Sequence, residues 1–259
     1  MEGRLDAAFQ RFVNLDRRRR GWNPIWTASL RAEVWARFAI HCRDLVNRSG
    51  VPAPYRSLDI EGIPSAFPEG YRELAQIFIG MLDAPRMLAA GGKRGTGKST
   101  LGYGIVLKFC NLGRPAVYRT VAEMFQELSD APWEKKQEIR RTYFYPELLV
   151  LDEVQVRDDG RDWQDNELTT LLDKRYRENK ATILLSNLLT SELHKNLGDS
   201  IWRRLIETGG PPIRTEWERI EVIKQKLELS RRPQNEPAKP PIREPDRGTP
   251  GDGTSSSDP

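Results

Sequence analysis

An α/β fold with a mainly parallel sheet flanked by helices is predicted from three observations. Short apolar runs alternate with helical patterns from Arg86 onward. A glycine-rich stretch joins the first of those runs to the first helical pattern. A later run, Leu148 to Leu151, ends abruptly in Asp152 and Glu153. Strands that alternate with helices imply parallel pairing with both faces of the sheet covered.

In chain order, the first element predicted is an amphipathic helix. Leu30, Val34, Trp35, Phe38, Cys42, Leu45 and Val46 recur at helical spacing, after a cap at Thr27 or Ser29 and before Gly50 and Pro52. Ahead of it, Arg17 to Arg20 run into the break Gly21-Trp22-Asn23-Pro24. That run reads either as a solvated basic turn or as an arm that contacts phosphate or an acidic partner. Buried strands follow at Met87–Ala90, Ala116–Tyr118, Leu148–Leu151 and Thr182–Leu185, with helices over Lys98–Asn111, Val121–Leu128 and Asn166–Glu178. From Arg231 the chain is dense in Pro, Gly, Ser and charge, and Ile242 is its only aliphatic residue larger than Ala. Such a segment cannot bury enough apolar surface to offset its ordering entropy, so a disordered tail is expected over 231–259. The expected divisions are 1–49, a helical partner-binding segment, 50–230, the principal domain, and that tail.

Composition sets the outer bounds. The 259 residues carry 41 Lys and Arg against 37 Asp and Glu, a net charge of +4, which by itself says little about nucleic acid. Two Cys, Cys42 and Cys110, exclude a disulfide scaffold and read as reduced, buried thiols. No uncharged run approaches the roughly 18–20 residues that span a bilayer, and the first residues lack a signal-peptide layout. A cytoplasmic protein without a membrane partner is expected.

The strongest motif is Gly92-Lys93-Arg94-Gly95-Thr96-Gly97-Lys98-Ser99, which satisfies G-x-x-x-x-G-K-[ST] between a strand and a helix, with Thr100 next to it as a further nucleotide-binding candidate. Such a loop turns successive backbone N–H groups toward phosphate oxygens at the positive end of a helix. Lys98 would reach the β- and γ-phosphates of ATP, and the Ser99 hydroxyl would join a Mg²⁺ shell. The fold is therefore read as a P-loop NTPase. Asp152 would hold Mg²⁺ through water and Glu153 would orient and deprotonate the attacking water, both at the carboxyl end of a central strand. The strand pattern Pro115–Arg119 lies between loop and acids in sequence, which predicts an extra strand between them in the sheet and favours an ATPase over a nucleotide kinase or GTPase. Asn187, at the tip of the next strand, reads either as a sensor of the γ-phosphate or as a cap on the helix that Ser191 begins.

The order of motifs resembles the AAA+ ATPases, and within them the DnaC-type helicase loaders and the IstB-type transposition helpers. The residues that carry it are GVPAPYR before the core, GGKRGTGKST, LLVLDEV, the acid-rich stretch to Asp165-Asn166-Glu167-Leu168, Asp173-Lys174-Arg175-Tyr176 with TILLSNL, and LGDSIWRRL. The likeness runs from about Gly50 to Gly210 and omits both ends. It implies an AAA+ core, ATP with Mg²⁺, an ATP-dependent homo-oligomer, single-stranded DNA, and either a replicative helicase to load or a transposase to deliver. A nucleotide-gated scaffold with little hydrolysis is the remaining alternative. It also implies that an arginine is offered to the neighbouring subunit's nucleotide; Arg204 falls on that position, with Arg203 as the alternative. Too little chain follows Pro212 for a helical lid. Between Thr120 and Pro146 the resemblance implies DNA-contacting helices. There Lys135, Lys136, Arg140, Arg141 and Tyr143 combine charge with an aromatic ring, although Glu134 and Glu138 could simply pair with them on a solvated helix.

Overall fold

Five strands form one sheet in the order β2-β3-β4-β1-β5, and every pairing is parallel. The computed structural model describes residues 2–20, 28–154, 162–188, 190–217 and 220. The strands are β1 (Met87–Gly92), β2 (Ala116–Thr120), β3 (Leu148–Asp152), β4 (Ala181–Ser186) and β5 (Ile213–Thr215). All residues of β1, β3 and β4 are buried, as parallel strands covered on both faces must be, whereas β2 at the edge is buried only in part.

The helices are α1 (Glu2–Arg20), α2 (Ala28–Arg48), α3 (Glu69–Gly80), α4 (Lys98–Asn111), α5 (Val121–Asp130), α6 (Trp133–Phe144), α7 (Asp162–Arg177) and α8 (Thr190–Gly209), with a 3₁₀ turn at Ala53–Tyr55. Strand alternation divides the core in two. Leu88, Ala90, Val150 and Ile183 meet Ile105 and Phe109 of α4 on one face. Met87, Ala89, Leu151 and Leu184 meet Phe125, Leu172 and Leu205 on the other. Gly209 lets α8 close on β1, since a Cβ there would lie 1.8 Å from the Met87 carbonyl oxygen. α5 opens with a capping box between Thr120 and Glu123.

Three expectations change. The strand between β1 and β3 is β4; the Pro115–Arg119 pattern forms β2 at the edge beyond β3, because the crossover through α4 passes over two positions. Arg17 to Arg20 continue α1 as its last turn and do not form a basic turn of their own. α1, α3 and β5 have no counterpart among the individually predicted elements. The expected tail, 231–259, and the break 21–27 lie outside the described residues.

α1 and α2 meet through aromatic rings, with Phe9 stacked on Trp35 at 4.0 Å and edge-on to Phe38 at 5.9 Å. α2 packs on α4. Arg4 bonds to Asp83 at 2.7 Å and Arg11 pairs with Glu147 at 3.3 Å, so α1 is tied to the body. After α2, the Ser49 carbonyl accepts from the Tyr118 amide at 2.7 Å and covers part of the β2 edge. No helix among the described residues is long and apolar enough to cross a membrane.

Arg175 fastens β4 from below. Its guanidinium is fully buried and donates to the carbonyls of Tyr143, Phe144, Pro146 and Ala181 at 2.6–3.1 Å and to Thr182 Oγ1 at 2.9 Å. These bonds join α7, the end of α6 and the start of β4. Burial lowers its pKa to about 9. Arg175→Met is expected to destabilise the fold by about 2–4 kcal/mol, because four buried carbonyls lose their donors while the desolvation of the charge is recovered. Urea unfolding with an unchanged m-value checks it.

Candidate nucleotide site

The site is built where β1, β3 and β4 end. Between β1 and α4 the loop carries three left-handed glycines, Gly92 (φ 135°), Gly95 (φ 80°) and Gly97 (φ 83°). At Gly97 a Cβ would lie 2.7 Å from the Tyr71 ring and 2.8 Å from the Ile220 side chain, so no other residue fits that turn. Lys98 is 5% exposed, and its ammonium donates to the carbonyls of Gly92 at 2.9 Å and Lys93 at 2.8 Å. Burial lowers its pKa to about 8, against the opposing pull of the Asp152 carboxylate.

Asp152 is buried and almost fully engaged. Its Oδ2 accepts from Ser99 Oγ at 2.5 Å and from the Tyr118 hydroxyl, and its Oδ1 accepts from the Glu153 amide at 2.6 Å. Burial and the Asp152 charge push the Tyr118 phenol far above the ordinary tyrosine range, so it remains a donor. Glu153 is exposed and adopts φ 56°, a strained backbone for a residue with a side chain. One strand over, Ser186 Oγ donates to the Val154 carbonyl at 2.5 Å and accepts from the Leu188 amide at 3.1 Å. These bonds lace the ends of β3 and β4 together, and Asn187 lies between them. A buried carboxylate beside a serine hydroxyl is a hard oxygen donor set suited to Mg²⁺ that takes its other ligands from phosphate and water.

Thr215, Trp217 and Ile220 also serve the loop and were not anticipated. Thr96 Oγ1 donates to Thr215 Oγ1 at 3.2 Å, Trp217 Nε1 to the Thr96 carbonyl at 2.8 Å, and the Ile220 amide to the Gly95 carbonyl at 2.9 Å. Beside the loop, Ile60, Phe67, Tyr71, Thr100, Gly104 and Ile220 line a mainly apolar cavity of about 210 Å³. Apart from Thr100, no motif marks these residues; only the fold brings them to the loop.

The other predicted residues lie apart from this cluster. Arg204 pairs with Asp173 of α7 and lies 5.4 Å from the Tyr176 ring centroid, with its side chain 19% exposed. Arg203 is 73% exposed and, among the described residues, pairs with Glu207 of its own helix at 3.6 Å. On α6, Lys135 and Arg141 are exposed and Lys136 is half-buried. Tyr143 corrects the expectation: it is 1% exposed and donates to Glu127, so no base can stack on it. Arg140 is held by both oxygens of Glu167 at 2.7 and 2.8 Å. The exposed rings at the two ends of α6 are Trp133 and Tyr145.

A parallel sheet of this order, with a phosphate-type loop after β1 and an acidic pair after β3, defines a P-loop ATP-binding domain of the AAA+ kind. The family described as IstB-like ATP binding protein matches residues 72–206, just over half of the chain, and the chain belongs to that family. It is similar to the Escherichia coli (strain K12) uncharacterized protein YdaV, 26% identical over 180 residues that cover 67% of this chain and 72% of that one. Among solved structures it is similar to replication initiator DnaA bound to AMPPCP and single-stranded DNA, with a TM-score of 0.56 and 21% identity over 69% of this chain. The chain spans 56% of that DnaA chain. It is likewise similar to the DnaC helicase loader, with a TM-score of 0.52 and 16% identity over 64% of this chain and 100% of that one.

The Lys98 environment generates a pH dependence. A bound phosphate favours the ammonium form, so the lysine pKa is higher in the complex than the value of about 8 in the free protein. Nucleotide affinity is then full below pH 8 and is lost as pH rises through that value, by about tenfold per unit until the bound-state pKa is reached. Fluorescence titration of a labelled ATP between about pH 7 and pH 10 checks this; a flat profile contradicts it.

Proposed function

We propose that the protein is a Mg²⁺-dependent ATPase that assembles on single-stranded DNA and loads or remodels a replicative helicase. The observation that carries the ATPase reading is the Ser99–Asp152 hydrogen bond, which joins the start of α4 to the end of β3 beside the buried Lys98. On this reading Lys98 and the amides from Gly92 to Thr100 hold the phosphates, and the apolar cavity at Tyr71 and Ile220 takes the base. Ser99 and Asp152 hold Mg²⁺, which would neutralise charge on the β- and γ-phosphates. Glu153 orients the attacking water, and Asn187 senses the γ-phosphate from the neighbouring strand end.

Two roles are revised by exposure. Arg203 carries the contact with a neighbouring subunit's nucleotide, because Arg204 is engaged by Asp173 and Tyr176 within its own chain. DNA follows α6 through the exposed Lys135 and Arg141 and the half-buried Lys136, with Trp133 and Tyr145 as the stacking rings in place of the buried Tyr143. The DnaC helicase loader, as a structural relative, supports helicase loading. Delivery of a transposase is the second reading, favoured by the IstB-like family match. Capture by the full chain of a replicative helicase or of a transposase, each offered purified with ATP and single-stranded DNA, decides between them.

Lys98→Ala is expected to abolish ATP binding, and Glu153→Gln to retain binding while hydrolysis falls by about 10²-fold or more. Robust turnover in the Glu153 variant, measured as phosphate release with and without single-stranded DNA, refutes the catalytic assignment. Arg203→Ala is expected to keep binding and melting temperature and to lose hydrolysis stimulated by assembly, by about 10³-fold or more. An unchanged, concentration-dependent rate contradicts the trans role.

A further inference from the structure

Strand parity fixes which side chains meet at Asp152. In the β2/β3 ladder Thr120 is opposite Asp152 and Tyr118 is opposite Val150, so Tyr118, Val150 and Asp152 lie on one face of the sheet, the face covered by α4. A phenol on that face spans the distance from one pair to the next and places its hydroxyl at the strand end. α4 leaves room for the ring at Gly102, where an added Cβ would lie 3.4 Å from Tyr118 Cε2 and 3.2 Å from Val150 Cγ1. Tyr103 of the same helix packs against the Tyr118 ring at 4.4 Å, and Tyr55 lies 4.9 Å beyond it. The ring is thus gripped between helix and sheet; its hydroxyl shares a hydrogen bond with the Tyr103 side chain and directs its own proton to one place.

That place is the oxygen of Asp152 that Ser99 also uses. Oδ2 accepts from the Ser99 hydroxyl on α4 and from the Tyr118 hydroxyl on β2, while Oδ1 accepts from the Glu153 amide. Ser99 is a short donor whose lone pairs are needed for a cation, so it cannot by itself fix the carboxylate plane. Tyr118 supplies a third direction beside those of Ser99 and the Glu153 amide, from a strand that bears no motif residue.

We propose that Tyr118 is the positioning residue that sets the orientation of the Asp152 carboxylate toward a nucleotide-bound Mg²⁺. The role rests on the metal assignment proposed above for Asp152 and Ser99. Tyr118 touches neither nucleotide nor metal. Its effect is confined to how much the cation strengthens binding.

The test is the ratio of nucleotide affinities with Mg²⁺ and with chelator, read by fluorescence titration on the full chain. Tyr118→Phe keeps the ring and removes only the hydroxyl; it is expected to shrink the Mg²⁺-dependent gain about tenfold while affinity in chelator stays the same. Asp152→Asn is expected to remove the gain, and Tyr118→Phe added to it is expected to have no further effect, because the tyrosine acts through the aspartate. A normal gain in Tyr118→Phe, with the Asp152→Asn effect intact, overturns the positioning role and leaves the metal reading standing. A normal gain in Asp152→Asn overturns the metal reading and the inference with it. Equal losses with and without Mg²⁺, or additive losses in the double variant, show that the tyrosine merely supports the fold and also overturn the proposal.

Discussion

The site depends on β4 lying between β1 and β3. Adjacent strands are about 4.8 Å apart, so one intervening strand separates the end of β1 from the end of β3 by roughly 10 Å. On the proposed reading, that gap separates a loop that cradles phosphates from a carboxylate that stands across from them. β4 holds its position by two parallel ladders and by Arg175, which binds Ala181 and Thr182 at its first residues. At its other end Ser186 ties it to the residues after β3. A strand pinned at both ends turns the sheet into a fixed ruler for the chemistry at its edge.

Rigid spacing has an electrostatic cost, concentrated at Lys98. The ammonium is buried among carbonyls, and the nearest carboxylate, Asp152, is already occupied by hydrogen bonds from Ser99, Tyr118 and the Glu153 amide. The free protein therefore holds a lysine that is easier to deprotonate than normal, and it gains stability as pH rises from about 8 toward the ordinary lysine range. An arriving anion relieves this condition, so the loop stores a preference for phosphate in its unliganded state.

The parts legible in sequence were those written locally. The loop, the apolar run before Asp152 and helix α4 each carry their signal within about fifteen residues. β5 is only Ile213 to Thr215, too short for a period, and it forms because β1 has an open edge. Strand order was only partly legible: an inserted strand could be inferred, but which strand it is depends on crossovers that no window contains. Tyr143 looked like a stacking ring because charged neighbours on α6 suggested a solvated face, yet its own face turns inward to Glu127. Arg204 and Asp173 are likewise paired across two helices, so the more exposed of the two adjacent arginines could not be chosen from spacing.

The two sides of the loop are closed differently, and the difference bears on assembly. Toward the apolar cavity, Trp217, Ile220 and Tyr71 press on Thr96, Gly95 and Gly97, so a short return of the chain after β5 shields that side. Toward Glu153 the described residues offer no comparable cover, and its side chain is exposed. A carboxylate that must activate one water works poorly in bulk solvent, where competing waters screen it and its hydrogen bonds are unfixed. On the proposed reading, a second subunit bringing Arg203 would both neutralise the developing charge and exclude water from the open side. On that reading, the contrast between the shielded cavity side and the exposed Glu153 among the described residues is the physical reason to expect hydrolysis to wait for a neighbour.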